Sequence, residues 1–196
     1  MPSARNDATM LKTDPMKHDN SDSLLISDLI QQKRVAHQRL LERYGPMVFR
    51  LVLRIVGRQE DAEEVYQDVF FKALSNIKTY DQRQASLATW LSHIAYHESL
   101  NFVRRTKPVI VSIDETDMTL EDIDMLEENL QNEENIRLME QALDQLPTHE
   151  QALLTMFYYD NLSLSDIAYV TGSIPSTVGS RLSRIRKKLY KIIKTR

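Results

Sequence analysis

The sequence contains no cysteine, and this absence excludes disulfide bridges, thiolate metal sites and a cysteine nucleophile. It has only 4 glycines and 6 prolines while helix-favouring residues are abundant, so we predict an all-α protein. No apolar run approaches the roughly 20 residues that span a bilayer. The polar residues 1–20 also lack the apolar centre of a secretory signal. We therefore expect a cytoplasmic protein that does not insert into a membrane.

Charge is distributed unevenly along the chain, although the net charge is only -3. Residues 108–135 hold ten acidic side chains and no basic one, whereas residues 161–196 hold eight basic side chains and one aspartate. A basic end behind an acidic linker is typical of nucleic-acid binding. A basic helix that is merely solvated would carry the same charge, so charge alone leaves both interpretations open.

Apolar residues recur at three- and four-residue spacing in the first half of the chain, which predicts four helices. We expect Asp22 or Ser23 to cap the first helix, Gly45 and Pro46 to bend the second, and Gly57 to end it. The predicted helices lie at 24–32, 35–56, 60–76 and 87–105, and the polar segment 77–86 is predicted to be a loop.

A second group of helices is predicted after the acidic segment. Thr148 and Gln151 have the spacing of a capping box, and Ser163 is placed to cap a short helix that Gly172 ends. The predicted helices lie at 136–146, 148–159, 164–170 and 174–194. The whole chain is then divided into a disordered extension at 1–22, a four-helix domain at 23–107, an acidic linker at 108–134 and a helix-turn-helix domain at 135–196.

The segment 162–189 has the pattern of a helix-turn-helix, with a short helix, a turn that contains glycine and a longer basic helix. One face of the longer helix is apolar at Val178, Leu182 and Ile185, and an ordinary amphipathic helix would share that feature. The other face carries hydroxyls and arginines that suit base edges in a major groove, and further along it carries cations that suit phosphates. The predicted base-reading residues are Ser176, Thr177, Ser180, Arg181, Ser183 and Arg184, and the predicted phosphate-binding residues are Arg186, Lys187, Lys188 and Lys191.

Two further sets of motifs occur in the chain. The N-terminal set is DAEEVYQDVF at 61–70 with ATWLSHIA at 88–95. The C-terminal set is LP at 146–147, LSLSDIA at 162–168 and TVGSRLSR at 177–184. Together these motifs resemble those of the sigma-70 family of RNA polymerase subunits. Because only these two domains fit in the chain, the resemblance is to the extracytoplasmic-function (ECF) group. It implies a protein that binds core RNA polymerase and promoter DNA, and is regulated by an anti-sigma factor.

The resemblance also implies site residues in the N-terminal domain. An acidic and amide face on the third helix would dock on core polymerase at Asp61, Glu64, Gln67 and Asp68. Without the resemblance, that face would be interpreted as solvated. The loop would hold an extruded base of the -10 element at Tyr80, Asp81, Gln82, Arg83, Gln84 and Ser86. The following helix would track the DNA strand with Tyr96, His97, Asn101, Arg104 and Arg105, while Trp90 is expected in the core.

The chain departs from the family pattern at two places. Gly179 stands where the family commonly has Lys or Arg, and Tyr96 with His97 stands where an Arg-Asn pair is common. A glycine inside a helix costs up to about 1 kcal/mol relative to alanine. We expect both departures to affect DNA affinity and not the fold.

Other classes of function are less well supported by the sequence. His93 and His97 are spaced to share a metal ion, but no third ligand is evident, and there is no phosphate-binding loop. We therefore expect no enzyme activity, no cofactor and no metal. A free-standing helix-turn-helix regulator and a helical adaptor that binds only protein are the alternatives. The acidic face of the third helix argues against the former, and the basic C-terminal end argues against the latter.

Overall fold

The computed structural model describes residues 20–106 and 141–194, and within them every regular element is helical, which confirms the all-α prediction. The predicted acidic linker at 108–134 and most of the extension at 1–22 lie outside these residues. No described helix has both the length and the apolar character required to cross a membrane.

The N-terminal half contains the four predicted helices. Val65, Val69 and Ala73 of the third helix are buried, as its apolar spacing predicts. A single 3-10 turn opens the predicted loop at Ile77–Thr79. The helices are α1 at Asn20–Ile30, α2 at Arg34–Val56, α3 at Gln59–Asn76 and α4 at Leu87–Thr106.

The start of α1 differs from the prediction. The helix begins at Asn20, within the segment predicted as disordered, so Asp22 and Ser23 lie in its first turn and do not cap it. The carboxylate of Asp22 instead accepts a hydrogen bond of 2.7 Å from the Tyr44 hydroxyl and lies 3.0 Å from Arg43. Asp22 therefore joins α1 to α2. The spacing of residues within one helix does not reveal such a contact between two helices.

Helix α2 continues through Gly45 and Pro46 and ends at Gly57, as predicted. Gly57 has a φ of 92°, and its N–H bonds to the carbonyl of Leu53. At Gly45 a Cβ atom would lie 2.7 Å from the Tyr66 hydroxyl, so glycine leaves room for the end of this α3 side chain against α2. Burial of the apolar face on both sides of Pro46 holds the helix together despite the missing amide donor.

Three complete helices lie in the described part of the C-terminal half, residues 141–194. Pro147 precedes the first, and the side chain of Gln151 donates to the carbonyl of Leu146, so the predicted capping box at Thr148 is wrong. Residues 141–143 are helical and turn before Pro147, whereas the rest of the predicted helix at 136–146 lies mainly outside the described residues. The helices are α5 at Thr148–Leu154, which continues as a π-helical turn at Thr155–Tyr159, α6 at Leu164–Thr171 and α7 at Pro175–Lys194.

The ends of α6 follow the prediction. The Ser163 hydroxyl accepts the N–H of Asp166, and the Asp166 carboxylate accepts the N–H of Ser163, so that a complete capping box starts the helix. Gly172 ends it with a φ of 65°, and its N–H bonds to the carbonyl of Ala168. These two signals fix the turn that aims α7.

The two halves pack against each other. Helix α4 contacts α6, helix α2 contacts α5, and the buried apolar residues of both halves form one connected cluster. The apolar stripe of α7 is buried as predicted, with Val178 0% and Leu182 2% exposed. The opposite face of α7 is therefore the one available to a ligand.

A pair of glycine substitutions tests this description of the helix-turn-helix. Gly179→Ala should stabilise the fold by about 0.5–1 kcal/mol, because a helical glycine is replaced and the new Cβ makes an ordinary contact at 3.6 Å from Leu164. Gly172→Ala should destabilise it by about 1 kcal/mol, because alanine is strained at positive φ. Thermal unfolding measures both, and equal shifts of the midpoint would contradict the assignment of these two sites.

Candidate nucleic-acid and partner-binding surfaces

The first three turns of α7 present the predicted base-reading residues. Arg181 and Arg184 are exposed, as is Ser176, whereas Thr177 and Ser183 are half-buried. The Ser180 hydroxyl donates to the carbonyl of Ser176 at 2.9 Å, so it is partly engaged within the helix. The two arginines are thus the long donors that this face offers to guanine acceptors or phosphates.

The cations further along α7 are less exposed than the sequence suggests. Arg186, Lys187 and Lys188 are half-buried, and the Lys188 ammonium lies 3.2 Å from the Glu150 carboxylate of α5. The Nε atom of Arg186 is buried with no hydrogen-bond partner among the described residues. Lys188 therefore holds α7 against α5 through an ion pair. The number of basic residues in the sequence does not distinguish such a structural cation from one that binds phosphate.

Helix α3 exposes the predicted polymerase-docking residues. Glu64, Gln67 and Asp68 are exposed, and Asp61 is half-buried, with its carboxylate 3.9 Å from Arg58. Phe71 lies one turn further along the same face and is 75% exposed, although it is a large apolar side chain. Sequence reasoning missed Phe71. Phe71 lies outside the spacing of the buried residues of α3, and this mismatch could have indicated an exposed aromatic side chain.

The loop between α3 and α4 is ordered by its own hydrogen bonds. Asp81 accepts from the guanidinium and the backbone N–H of Arg83, and these bonds lower the pKa of Asp81 to about 2. The Ser86 hydroxyl accepts the N–H of Thr89 at the start of α4. The side chains of Gln82, Arg83 and Gln84 are exposed on the loop surface. A loop that is ordered in this way and exposes two side-chain amides is suited to binding a polar group of a ligand through hydrogen bonds.

Two aromatic rings lie beneath this loop. The Tyr80 hydroxyl donates to the carbonyl of Ala85 at 2.9 Å, and its ring centroid lies 5.2 Å from that of Trp90. Burial raises the pKa of Tyr80 to about 12. Trp90 is half-buried and packs against the core, in agreement with the expected core role.

The structure separates the predicted strand-tracking residues of α4 into two groups. Asn101, Arg104 and Arg105 are exposed near the end of the helix. Tyr96 and His97 are half-buried against the C-terminal half, where His97 Nε2 donates to the carbonyl of Val170 at 3.1 Å. Burial lowers the pKa of His97, and the neighbouring His93 lowers it further. In this arrangement His97 lies against α6.

The rings of the two histidines of α4, His93 and His97, contact each other at a tilt, with centroids 4.4 Å apart, and His93 also packs against the ring of Tyr169. Within residues 20–106 and 141–194, no group of three or more potential ligands is placed to hold a metal ion. The histidine pair packs at the boundary between the halves, where His97 also bonds to Val170.

Comparisons with known proteins agree on one family. Residues 40–109 match the model of Sigma-70 region 2, and residues 136–189 match that of Sigma-70 region 4. RNA polymerase sigma factor SigV of Bacillus subtilis is 29% identical over 71% of this chain and 80% of its own. ECF RNA polymerase sigma factor SigM of Mycobacterium tuberculosis is 25% identical over 90% of this chain and 87% of its own.

A solved structure shows the same fold. It is the sigma factor RpoE in complex with the anti-sigma factor NepR from Bartonella quintana. The TM-score is 0.58 with 19% identity, and the match covers 80% of this chain and 96% of RpoE.

Proposed function

The chain belongs to the sigma-70 family of RNA polymerase sigma factors, in the ECF group, and we propose that its two halves divide the recognition of a promoter. The N-terminal half docks on core polymerase through α3 and holds the melted -10 element. The C-terminal half reads the -35 element through α7. The observation that carries this proposal is the presence, in one chain, of an exposed arginine face on α7 and an acidic, apolar-tipped face on α3.

The reading of duplex DNA is assigned to the first turns of α7. Val178 and Leu182 anchor the helix in the core, so its direction is fixed before DNA arrives. Arg181 and Arg184 then project from the solvent face, where bidentate contacts to guanine are geometrically favoured. This preorganisation favours specific contact over loose electrostatic attachment.

The docking of polymerase is assigned to the exposed face of α3. Glu64 and Asp68 would attract basic groups on the partner and orient the encounter. Phe71 supplies an apolar anchor beside them, and aromatic anchors surrounded by polar groups commonly carry much of the energy of an interface. An exposed aromatic side chain beside acidic groups is typical of a surface that binds a protein partner, whereas a surface that only faces solvent rarely carries one.

The contact with single-stranded DNA is assigned to the loop and the end of α4. Gln82, Arg83 and Gln84 offer donors and acceptors to the edge of an extruded base. Arg104 and Arg105 follow on α4 with positive charge for the backbone. The bonds within the loop reduce the conformational entropy that binding must overcome.

Under this proposal the chain catalyses no reaction itself, because the chemistry of RNA synthesis belongs to the polymerase. It acts in the cytoplasm, where the polymerase and the promoters are. We also infer an anti-sigma partner. The support is the fold shared with RpoE, whose structure contains the anti-sigma factor NepR.

Run-off transcription tests the central proposal. Core polymerase with this chain should initiate at specific sites, whereas either component alone should not. A free-standing regulator would instead bind its DNA site tightly and specifically without polymerase. Specific binding by the isolated chain that core enzyme leaves unchanged would contradict the proposal.

Substitution of Phe71 tests the docking face. Phe71→Ser should weaken binding to core polymerase by about 1–3 kcal/mol, because an exposed aromatic anchor is removed. Leu24→Ser is the matched control, since Leu24 is 69% exposed on α1 of the same half. Both variants should keep the helical circular dichroism of the parent. Equal affinity of the two variants for core enzyme would show that Phe71 is not an anchor.

Two substitutions on α7 separate base reading from charge. Arg184→Ala should cost about 1–3 kcal/mol at one base pair and change which -35 sequences are used. Lys191→Ala, two turns further along the helix, should lower output on all sequences alike and reduce the salt slope by about one unit. Transcription from a library with a randomised -35 element measures both effects. Losses that are independent of sequence for both variants would make Arg184 a phosphate contact.

A further inference from the structure

The four glycines of the chain differ in whether the fold requires them. Gly57 and Gly172 have positive φ values, and Gly45 leaves room for a tyrosine hydroxyl of α3, so each of these has a local reason. Gly179 instead lies inside α7, and a Cβ atom there would make an ordinary contact at 3.6 Å from Leu164 Cδ1. Nothing among the residues that the structure describes therefore requires glycine at position 179.

Glycine at position 179 lowers the stability of the helix. Inside a helix, glycine is less favourable than every other residue except proline, because its backbone loses the most freedom on folding. Alanine would fit at this position without displacing Leu164, so the fold would accept a more stable residue. A residue that breaks a local rule without a structural reason is expected at a functional site. We therefore expect Gly179 to serve a ligand of α7.

Leu164 provides the neighbouring side chain. It is the first residue of α6, and the capping box between Ser163 and Asp166 fixes where that helix begins. Its side chain is 37% exposed, although it is large and apolar. Because Gly179 has no side chain, the Cδ1 methyl group of Leu164 borders the empty space beside the glycine. We name this space, with Gly179 and Leu164 as its walls, the apolar gap.

The apolar gap lies on the face of α7 that is predicted to read bases. Ser176 precedes Gly179 by three residues and Ser183 follows it by four, so the three residues share one side of the helix. The nearby Ser180 hydroxyl donates to the carbonyl of Ser176, so this donor is engaged within the helix. This part of the face is therefore less polar than the part that carries the two exposed arginines.

An apolar contact in the major groove of DNA has one natural counterpart. The base edges there present hydrogen-bond donors and acceptors, and the 5-methyl group of thymine is the apolar group among them. Glycine allows the backbone of a helix to approach such an edge closely, since no side chain stands between them. The exposed methyl group of Leu164 then offers the thymine methyl group a surface on which to pack.

We infer that the apolar gap binds the 5-methyl group of one thymine in the -35 element and makes Gly179 and Leu164 specificity-determining residues. The inference rests on the proposed reading of the -35 element by α7. The arginines of that helix select guanine through paired hydrogen bonds, whereas the apolar gap selects thymine through its shape. Because no charge takes part, salt should weaken overall binding but leave the preference for thymine unchanged.

Replacement of thymine by deoxyuridine tests the inference, because it removes the methyl group and leaves the hydrogen-bonding groups of the base in place. The -35 element is first defined with the randomised library. Core polymerase with this chain then transcribes templates in which each thymine of that element, on either strand, is replaced in turn. At one position the parent should prefer thymine about fourfold, as expected for burial of one methyl-sized group.

Two variants remove the apolar gap in different ways. Leu164→Ala takes away its apolar wall, and Gly179→Gln fills the space with a polar side chain. Both should reduce the preference for thymine at that position to near equality. Gly179→Gln also favours the helix, so the test does not depend on whether Leu164→Ala folds. Each preference is a ratio between two templates for one protein, so changes in overall affinity or stability cancel.

Leu41→Ala is the matched control, since Leu41 is 41% exposed on α2, outside every predicted DNA-binding set. The control should keep the fourfold preference of the parent. Equal use of thymine and deoxyuridine by the parent at every position of the element would overturn the inference. A preference that persists in a variant without the apolar gap, or one that the control also loses, would overturn it as well.

Failure of the proposed function would have a different signature. In that case core polymerase with this chain would not initiate at specific sites, and the library would define no -35 element. If initiation is specific and Arg184→Ala changes the preferred -35 sequences while no thymine methyl group matters, the proposed function stands and the inference alone is wrong.

Discussion

The hydrogen bond between Thr89 and Asp166 determines where the helix-turn-helix lies relative to the first half of the chain. Its carboxylate is held on one side by the cap of α6 and on the other by α4, so neither helix can shift without breaking a shielded bond. Because α6 and the αL turn at Gly172 aim α7, the position of Arg181 and Arg184 follows from this contact. The placement of the proposed DNA-reading face thus depends on a contact at the boundary between the two halves.

Local sequence signals predicted most of the helices because each signal acts within a few residues. Gly57 and Gly172 end helices through positive φ, and Ser163 caps one through its own hydroxyl, as their positions indicate. The failures came where another hydrogen-bond partner competed for the same group. Asp22 bonds to Tyr44 of another helix, and Gln151 bonds back to Leu146, so neither completes the expected cap.

The candidate surfaces were predictable to a similar extent. Spacing showed that Glu64, Gln67 and Asp68 share an exposed face, but it did not reveal that Phe71 is exposed beside them. His97 was expected at DNA and lies against Val170, a contact between residues 73 positions apart in sequence. Periodicity reports which side of a helix is apolar, whereas it does not identify the polar neighbour that tertiary packing brings to the other side. The roles assigned to these residues at polymerase and DNA stay predictions.

Apolar and polar contacts contribute differently to the boundary between the two halves. The buried apolar residues of both halves form one connected cluster, and burial of apolar area is a large and non-directional contribution to packing. The hydrogen bond from Thr89 to Asp166 and the ion pair between Arg50 and Asp160 add direction, because each requires a defined geometry. Asp160 imposes the stricter requirement, since a buried carboxylate that loses its cationic partner is strongly destabilised.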